Sequence, residues 1–325
     1  MKSNLITEKF KIQNSKSKIA YIFPGQGSQS VGMGKDLFDN FVSSREVFEE
    51  ADDALGFKLS EMCFNGTAED LALTANTQPA ILTTSIAAFR AMESENYPLP
   101  DFVAGHSLGE YSALVAAGAM SISDAVKTVR KRGIYMQEAV PVGVGAMAAI
   151  LGLPLETVEI VCAEVAGSEI CSPANINSPS QIVIAGNAEA VDRAIEILKE
   201  RGAKRAIKLN VSAPFHCDLM LPAQARLAAD LAGIEFNNLR FPIIENVSAE
   251  ANIKGERVKT ALTEQISKPV LWAQSVENLI NETVETYIEV GAGKILSGLV
   301  RQINRDVRCL NVENAESLRV TLQSL

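Results

Sequence analysis

The chain has 325 residues, 47% hydrophobic and 21% charged, enough apolar material for a large α/β domain carrying a smaller one. A formal net charge of −9 argues against the basic surface that nucleic-acid binding needs, and no apolar run reaches the roughly 20 residues of a membrane span. Five cysteines (Cys63, Cys162, Cys171, Cys217 and Cys309), odd in number and without a C-x-x-C pair, exclude a disulfide framework and a zinc site, so no metal is expected.

Residues 1–17 are polar and lack the apolar run of a secretory signal, which reads as a short N-terminal tail. Residues 18–23 (KIAYIF) form a first strand ended by Pro24-Gly25, and a helix is expected over 36–57. Thr77-Gln78-Pro79 begins the next helix, because proline is tolerated in a first turn. A short strand over 101–104 runs into Gly105, and a helix of small residues follows over 110–119. Ser121 and Asp124 make a capping box for a helix from 123 to about 138.

The middle of the chain reads as strand 145–152, helix 154–166, strands 170–175 and 181–186, helix 188–201 and a strand near 204–210. That β-α-β-β-α-β order is the ferredoxin-like pattern. From 214 helices and strands alternate again, with strands expected at 241–246 and 286–290. The fold class is therefore α/β, with a mainly parallel sheet in one domain over 18–140 and 213–325 and a small ferredoxin-like domain over 141–212.

Gly105-His106-Ser107-Leu108-Gly109 is a G-x-S-x-G after a strand and before a helix, the pattern of a nucleophile elbow. Its turn exposes the serine oxygen and frees backbone N–H groups at a helix start, where they can hold an oxyanion. Serine needs a base, and the chain has two histidines. His106 adjoins Ser107, and on a tight elbow neighbouring side chains diverge; His216, 109 residues on in Ala-Pro-Phe-His, lies where the chain re-enters the large domain. No acid between 107 and 216 stands in a recognisable motif, and Asp218 is too near His216 in sequence to orient it, so a Ser-His dyad with a carbonyl fixing the imidazole suits the sequence. The loop 23–29 (FPGQGSQ) lacks the Gly-Lys-Ser/Thr ending of a phosphate loop but can bring a backbone N–H, that of Gln26, to a reacting carbonyl. On the helix after Ser121 the apolar stripe Val126, Val129, Gly133 and Met136 turns Lys131 to solvent and leaves Arg130 and Arg132 on its flanks; periodicity does not choose which could bind a carboxylate.

FPGQGSQ at 23–29, TQPA at 77–80, GHSLGEYSA at 105–113, RG at 132–133, QEAVPVGVGAMAAILG at 137–152 and APFH at 213–216 together resemble the malonyl-CoA:acyl carrier protein transacylases of fatty acid synthesis and the acyltransferase domains of polyketide synthases. The likeness spans about residues 20–300. It implies a large α/β-hydrolase-like domain with a ferredoxin-like small one, Ser107 as nucleophile and His216 as base and acid. It implies an oxyanion hole of Gln26 and Leu108 N–H groups, and Arg132 rather than Arg130 as partner of the malonyl carboxylate. Gln78, His106 and Phe215 are placed at the substrate, with the Phe215 ring crowding an α-methyl group. Gln265 is placed near His216, with Asn246 as a second candidate there. Ala292 stands in EVGAGKIL where the family usually has proline.

The implied reaction moves malonyl from malonyl-CoA to the phosphopantetheine of a holo acyl carrier protein, with CoA and phosphopantetheine thioesters as substrates and no bound cofactor. Carrier proteins are acidic, and Lys199, Arg201, Lys204, Arg205 and Lys208 offer a docking face. The expected compartment is the cytoplasm or a plastid stroma. A serine thioesterase or esterase would use the same elbow but deliver the acyl group to water, and a non-catalytic carrier-binding module would not need Ser107 and His216.

Overall fold

The computed structural model describes residues 17–211 and 213–325; the expected tail, apart from Ser17, lies outside the described residues. β1 (Lys18–Phe23) leads through the glycine-rich loop to α1 (Lys35–Asn40), α2 (Val42–Leu55), α3 (Leu59–Asn65), α4 (Ala68–Ala72) and α5 (Thr74–Ser94). β2 (Phe102–Gly105), α6 (Leu108–Ala116) and α7 (Ile122–Glu138) follow. The middle comprises β3 (Gly145–Leu151), α8 (Leu155–Ala166), β4 (Cys171–Ser178), β5 (Gln181–Asn187), α9 (Ala188–Glu200) and β6 (Arg205–Lys208). The chain continues with α10 (Leu221–Ala232), β7 (Ile243–Ile244), β8 (Ala251–Asn252), α11 (Gly255–Gln265), α12 (Trp272–Asn281), β9 (Val284–Val290), α13 (Ile295–Ile303), β10 (Arg308–Val312) and α14 (Ala315–Ser324).

Two sheets organise these elements. The larger has the order β10-β9-β1-β2-β7-β8, parallel from β10 to β7 and antiparallel only at β8. Its central strands are buried on both faces, which is why they read as unbroken apolar runs. Tyr21 and Phe23 join the core under α5 and α7, while Ala20 and Ile22 pack with Trp272, Val276 and Leu296 on the opposite face. The smaller sheet is antiparallel, ordered β4-β5-β3-β6, with β3 and β5 paired in register from Gly145–Asn187 to Leu151–Gln181. α8 and α9 cover it through Val158, Val161, Val191 and Leu198. A fold with a mainly parallel sheet and a separate ferredoxin-like antiparallel one is what the sequence pattern implied.

Backbone bonds tie β4 of the small sheet to the segment just before α12: Val270 N donates to Ala174 O and Ile176 N donates to Val270 O, both at 2.9 Å. The small sheet therefore sits fixed over the carboxyl ends of β1 and β2, where open α/β sheets form their ligand crevice.

Local readings differ from the structure at five places. The helix expected over 36–57 breaks at Phe41, which is extended and whose carbonyl starts α2 by accepting from Ser44 and Arg45 N. Pro79 lies inside α5, which starts at Thr74, because the Thr77 hydroxyl donates to the Leu71 and Leu73 carbonyls and fastens a turn ahead of the proline. The strand expected at 241–246 shrinks to Ile243–Ile244, since Pro242 has no N–H to add to the ladder. The edge strand β10 and the two-residue β8 carry too little apolar patterning to read from sequence.

Candidate active site

The loop between β2 and α6 is forced into its shape by contact. A Cβ on Gly105 would lie 2.0 Å from the carbonyl of Gly109, and one on Gly109 would lie 2.0 Å from Phe23 O. Only glycine allows strand and helix to approach this closely, and the chain between them turns sharply. Ser107 takes the strain, with φ 51° and ψ −104°, a conformation that costs a non-glycine residue about 1–3 kcal/mol. Asn246 holds the turn from both sides: its Oδ1 accepts from Ser107 N and its Nδ2 donates to Gly105 O, each at 2.7 Å. Asn246 thus braces the elbow, and its side chain bonds the loop rather than His216, correcting its expected place beside the imidazole.

His216 is 3% exposed and arrives from the segment after the small sheet with φ 60°. Its Nε2 is 2.8 Å from Ser107 Oγ and its Nδ1 is 2.7 Å from the main-chain oxygen of Gln265. A carbonyl only accepts, so Nδ1 carries the proton and the Nε2 lone pair faces the serine hydroxyl. Burial, then the nearby Arg132 charge, pushes the imidazole pKa down to about 3, so it is neutral at pH 7. The carbonyl anticipated from sequence is there, but it is the backbone of Gln265; the side chain has another task.

That task concerns Arg132, which is 1% exposed. α7 approaches α5 through Gly133, where a Cβ would sit 2.7 Å from Thr74 O, and this brings Arg132 against Gln78. Nη1 donates to Gln78 Oε1 at 2.8 Å; Nη2 donates to Gln265 Oε1 at 2.8 Å and to Ser107 Oγ at 3.0 Å. The Tyr111 ring lies beneath the guanidinium, 5.6 Å away. The partners are two neutral amides and a hydroxyl, with no ion pair to a carboxylate among the described residues. A buried cation so placed is short of an anion, since burial without a counter-charge costs several kcal/mol. Arg130, the other flank of the stripe, instead donates to Asn76 Oδ1 at 3.0 Å and stacks over Phe57.

Ser107, His216 and Arg132 line a cleft of about 140 Å³ between the sheets. Gln26, Leu108, Gln78, His106 and Phe215 line it too. Leu108 is the first residue of α6, so its N–H is one that the helix leaves without an internal partner. His106 turns away from Ser107: its Nε2 is 2.8 Å from Asn177 Oδ1 on β4, and its ring packs 5.7 Å from that of Trp272. Met136, Met147, Asn175, Leu209 and Val211 complete the wall. Met136 is legible as part of the α7 stripe and Met147 falls within the 137–152 motif; Asn175, Leu209 and Val211 come from the small sheet and its exit, and no motif marks them. Among the described residues, no group of three or more His, Cys, Asp or Glu side chains gathers as a metal site, and no helix is long and apolar enough to cross a membrane.

A family model described as "Acyl transferase domain" matches residues 20–320. The malonyl CoA-acyl carrier protein transacylase of Bacillus subtilis is 50% identical over 310 residues, covering 95% of this chain and 98% of the relative. That of Escherichia coli K12 is 47% identical over 287 residues, covering 88% and 93%. The solved transacylase of Coxiella burnetii superposes with a TM-score of 0.93 at 41% identity, covering 95% and 98%. A type II polyketide malonyl-transacylase, solved in complex with its acyl-carrier protein, gives 0.93 at 44% identity, covering 95% and 100%.

Proposed function

The chain belongs to the acyl transferase domain family, and from that premise we propose that it transfers malonyl from malonyl-CoA to the phosphopantetheine thiol of an acyl carrier protein, through an ester on Ser107. The observation that carries this reading is Arg132: a buried guanidinium, 3.0 Å from the candidate nucleophile, held by amides and lacking an anion. A malonyl group on Oγ would end in a carboxylate three bonds beyond the ester oxygen, within reach of that charge. Its arrival would supply the missing counter-ion, which an acetyl group does not do.

The steps follow from the hydrogen bonds. His216 Nε2 takes the Ser107 proton as Oγ attacks the thioester carbonyl. The tetrahedral oxyanion forms beside the Leu108 and Gln26 N–H groups. The imidazolium so made is buried beside Arg132, which together with burial outweighs the stabilising Gln265 carbonyl, so it is a strong acid and readily protonates the departing CoA thiolate. The carrier thiol then attacks the malonyl ester, giving its proton to His216, which returns it to Ser107. Gln78 and Gln265 orient Arg132, Phe215 and His106 wall the acyl pocket, and Asn246 keeps the elbow closed. The catalytic unit is residues 18–140 with 213–325, and residues 141–212 form the lid-like small unit that supplies the far wall. Lys204 and Arg205 are the candidate contacts for an acidic carrier.

Incubation with malonyl-CoA followed by intact-protein and peptide mass spectrometry tests this directly. A malonyl adduct on Ser107 that is discharged by holo carrier protein is expected. Release of free malonate with no carrier product would make the enzyme a thioesterase instead.

A further inference from the structure

Glu110 lies three residues past Ser107, 2% exposed, the single carboxylate in a helix otherwise built of small and apolar residues and Tyr111. None of the steps above uses it. Its Oε2 accepts from Gln265 Nε2 at 2.6 Å, and its Oε1 lies 3.4 Å from Asn246 N. Gln265 Nε2 also donates to Ser107 O at 2.8 Å. Two acceptors therefore demand the nitrogen of this amide, and its oxygen is left to face Arg132. Remove the Glu110 acceptor and the amide loses the stronger of the two contacts that fix its orientation.

The charged and titratable groups around Glu110 are Arg132 from α7, Tyr111 beside it on α6, and Glu245 after β7, itself paired with Arg257 of α11. Burial, opposed by the Gln265 bond and reinforced by Glu245, pushes the Glu110 carboxyl up to about 8, with Arg132 pulling it down. The neutral acid is thus the main form at pH 7.

We propose that Glu110 is a positioning residue that sets how strongly Arg132 holds the carboxylate of the acyl substrate: as the neutral acid it turns the Gln265 oxygen to the guanidinium and leaves that charge to the substrate, and as the anion it competes for it. This rests on the malonyl reading above. With Glu110 neutral, an incoming malonyl carboxylate meets an uncompensated cation. With Glu110 ionised, the same carboxylate enters a pocket that already holds a negative charge. The linkage is reciprocal, so malonyl binding at Arg132 favours the protonated form of Glu110. An acetyl group carries no charge and is indifferent to it.

The test measures the loading half-reaction on the full chain, by intact mass, for malonyl-CoA and acetyl-CoA with wild type, Glu110→Gln and Glu110→Leu. In the wild type, the half-saturating malonyl-CoA concentration rises about tenfold from about pH 7 to about pH 9, and that for acetyl-CoA does not. Glu110→Gln keeps an oxygen for Gln265 but cannot ionise, so it flattens the malonyl profile. Glu110→Leu raises the malonyl value about tenfold already near pH 7 and spares acetyl loading. A flat wild-type profile, a Glu110→Gln profile that rises like the wild type, or a Glu110→Leu enzyme with unchanged malonyl saturation would each overturn the inference. Should Glu110→Leu fail to fold, the comparison of wild type with Glu110→Gln decides alone. A wild type that acquires no malonyl adduct overturns the malonyl reading itself, an outcome distinct from all of these.

Discussion

Gln265 serves His216 with its backbone and Arg132 with its side chain: its main-chain oxygen is 2.7 Å from His216 Nδ1, while its Oε1 accepts from Arg132 Nη2 at 2.8 Å. The two duties separate under mutation. Gln265→Ala keeps the carbonyl and so the imidazole tautomer, but removes a hydrogen bond to a buried charge, worth about 1.5–3 kcal/mol. Malonyl-CoA KM should rise roughly ten- to hundredfold, with acetyl loading changed no more than about threefold. Equal losses for both acyl groups would mean that the side chain supports His216 after all.

Arg132 itself is the sharper probe of selectivity. Arg132→Ala removes the only cation that, among the described residues, is seated at Ser107 Oγ, and it leaves Gln78 and Gln265 without their donor. A bidentate guanidinium–carboxylate contact in a buried site discriminates by about a hundredfold or more. Malonyl loading should fall by at least that factor and the acetyl-to-malonyl ratio should rise. Selectivity equal to that of the wild type, measured with the two thioesters in competition, would remove Arg132 from the acyl pocket.

His216 makes a prediction about pH. Because burial and Arg132 hold its pKa near 3, acetyl loading should show no acid limb near the ordinary imidazole value of about 6.5 and should stay flat down to about pH 5. An inflection close to 6.5 in single-turnover loading would contradict this. The same shift acts on stability. The folded pKa lies below the unfolded one, so the unfolded chain binds more protons between about 6.5 and 3, and this group destabilises the fold progressively as pH falls through that window. Between pH 7 and pH 5 the wild type should therefore lose more melting temperature than His216→Gln does.

Much of this arrangement is legible in the sequence, and the residues show why the remainder is not. The elbow reads directly, because Gly105 and Gly109 are required by contacts of 2.0 Å that no side chain permits. His216 follows from a chain with two histidines, one of them beside the serine and facing Asn177. The small sheet reads from alternating short elements with clear turns. What the pattern does not encode is the choice between Arg130 and Arg132: both flank the same stripe, and only the close passage of α5 at Gly133 decides which is buried. The assistance to His216 is equally silent, since it comes from a backbone carbonyl that any residue at 265 would provide. The resemblance puts Asn246 beside His216, and nothing in the sequence says that the segment after β7 turns this side chain to the elbow backbone instead. Glu110 leaves no mark either: an acid in the first turn of a helix is favoured by the macrodipole wherever it sits, and the sequence does not say that this one is buried.

The basic face at the end of the small sheet gives the last prediction. Of its five cations, Lys199 pairs with Glu196 at 2.8 Å, Arg201 with Glu164 at 2.7 Å and Lys208 with Asp192 at 2.7 Å. Their charges are largely spent within the unit, whereas no ion pair among the described residues involves Lys204 or Arg205. Both are exposed, and β6, to which Arg205 belongs, runs on into Leu209 and Val211 at the cleft wall. Arg205 stands four residues, about 13 Å of strand, from Leu209 at that wall. Exposed charges mainly steer encounter and are screened by salt, so their effect falls on association with the carrier rather than on chemistry. Charge reversal at Lys204 and Arg205 together should raise the carrier-protein KM roughly tenfold at low salt, less at high salt, and leave malonyl-CoA loading as it was. Reversal at Lys199 and Lys208 should do less, because each already faces an acid that would have to be displaced. A carrier KM indifferent to the Lys204 and Arg205 reversal would move the docking surface to another face of the cleft.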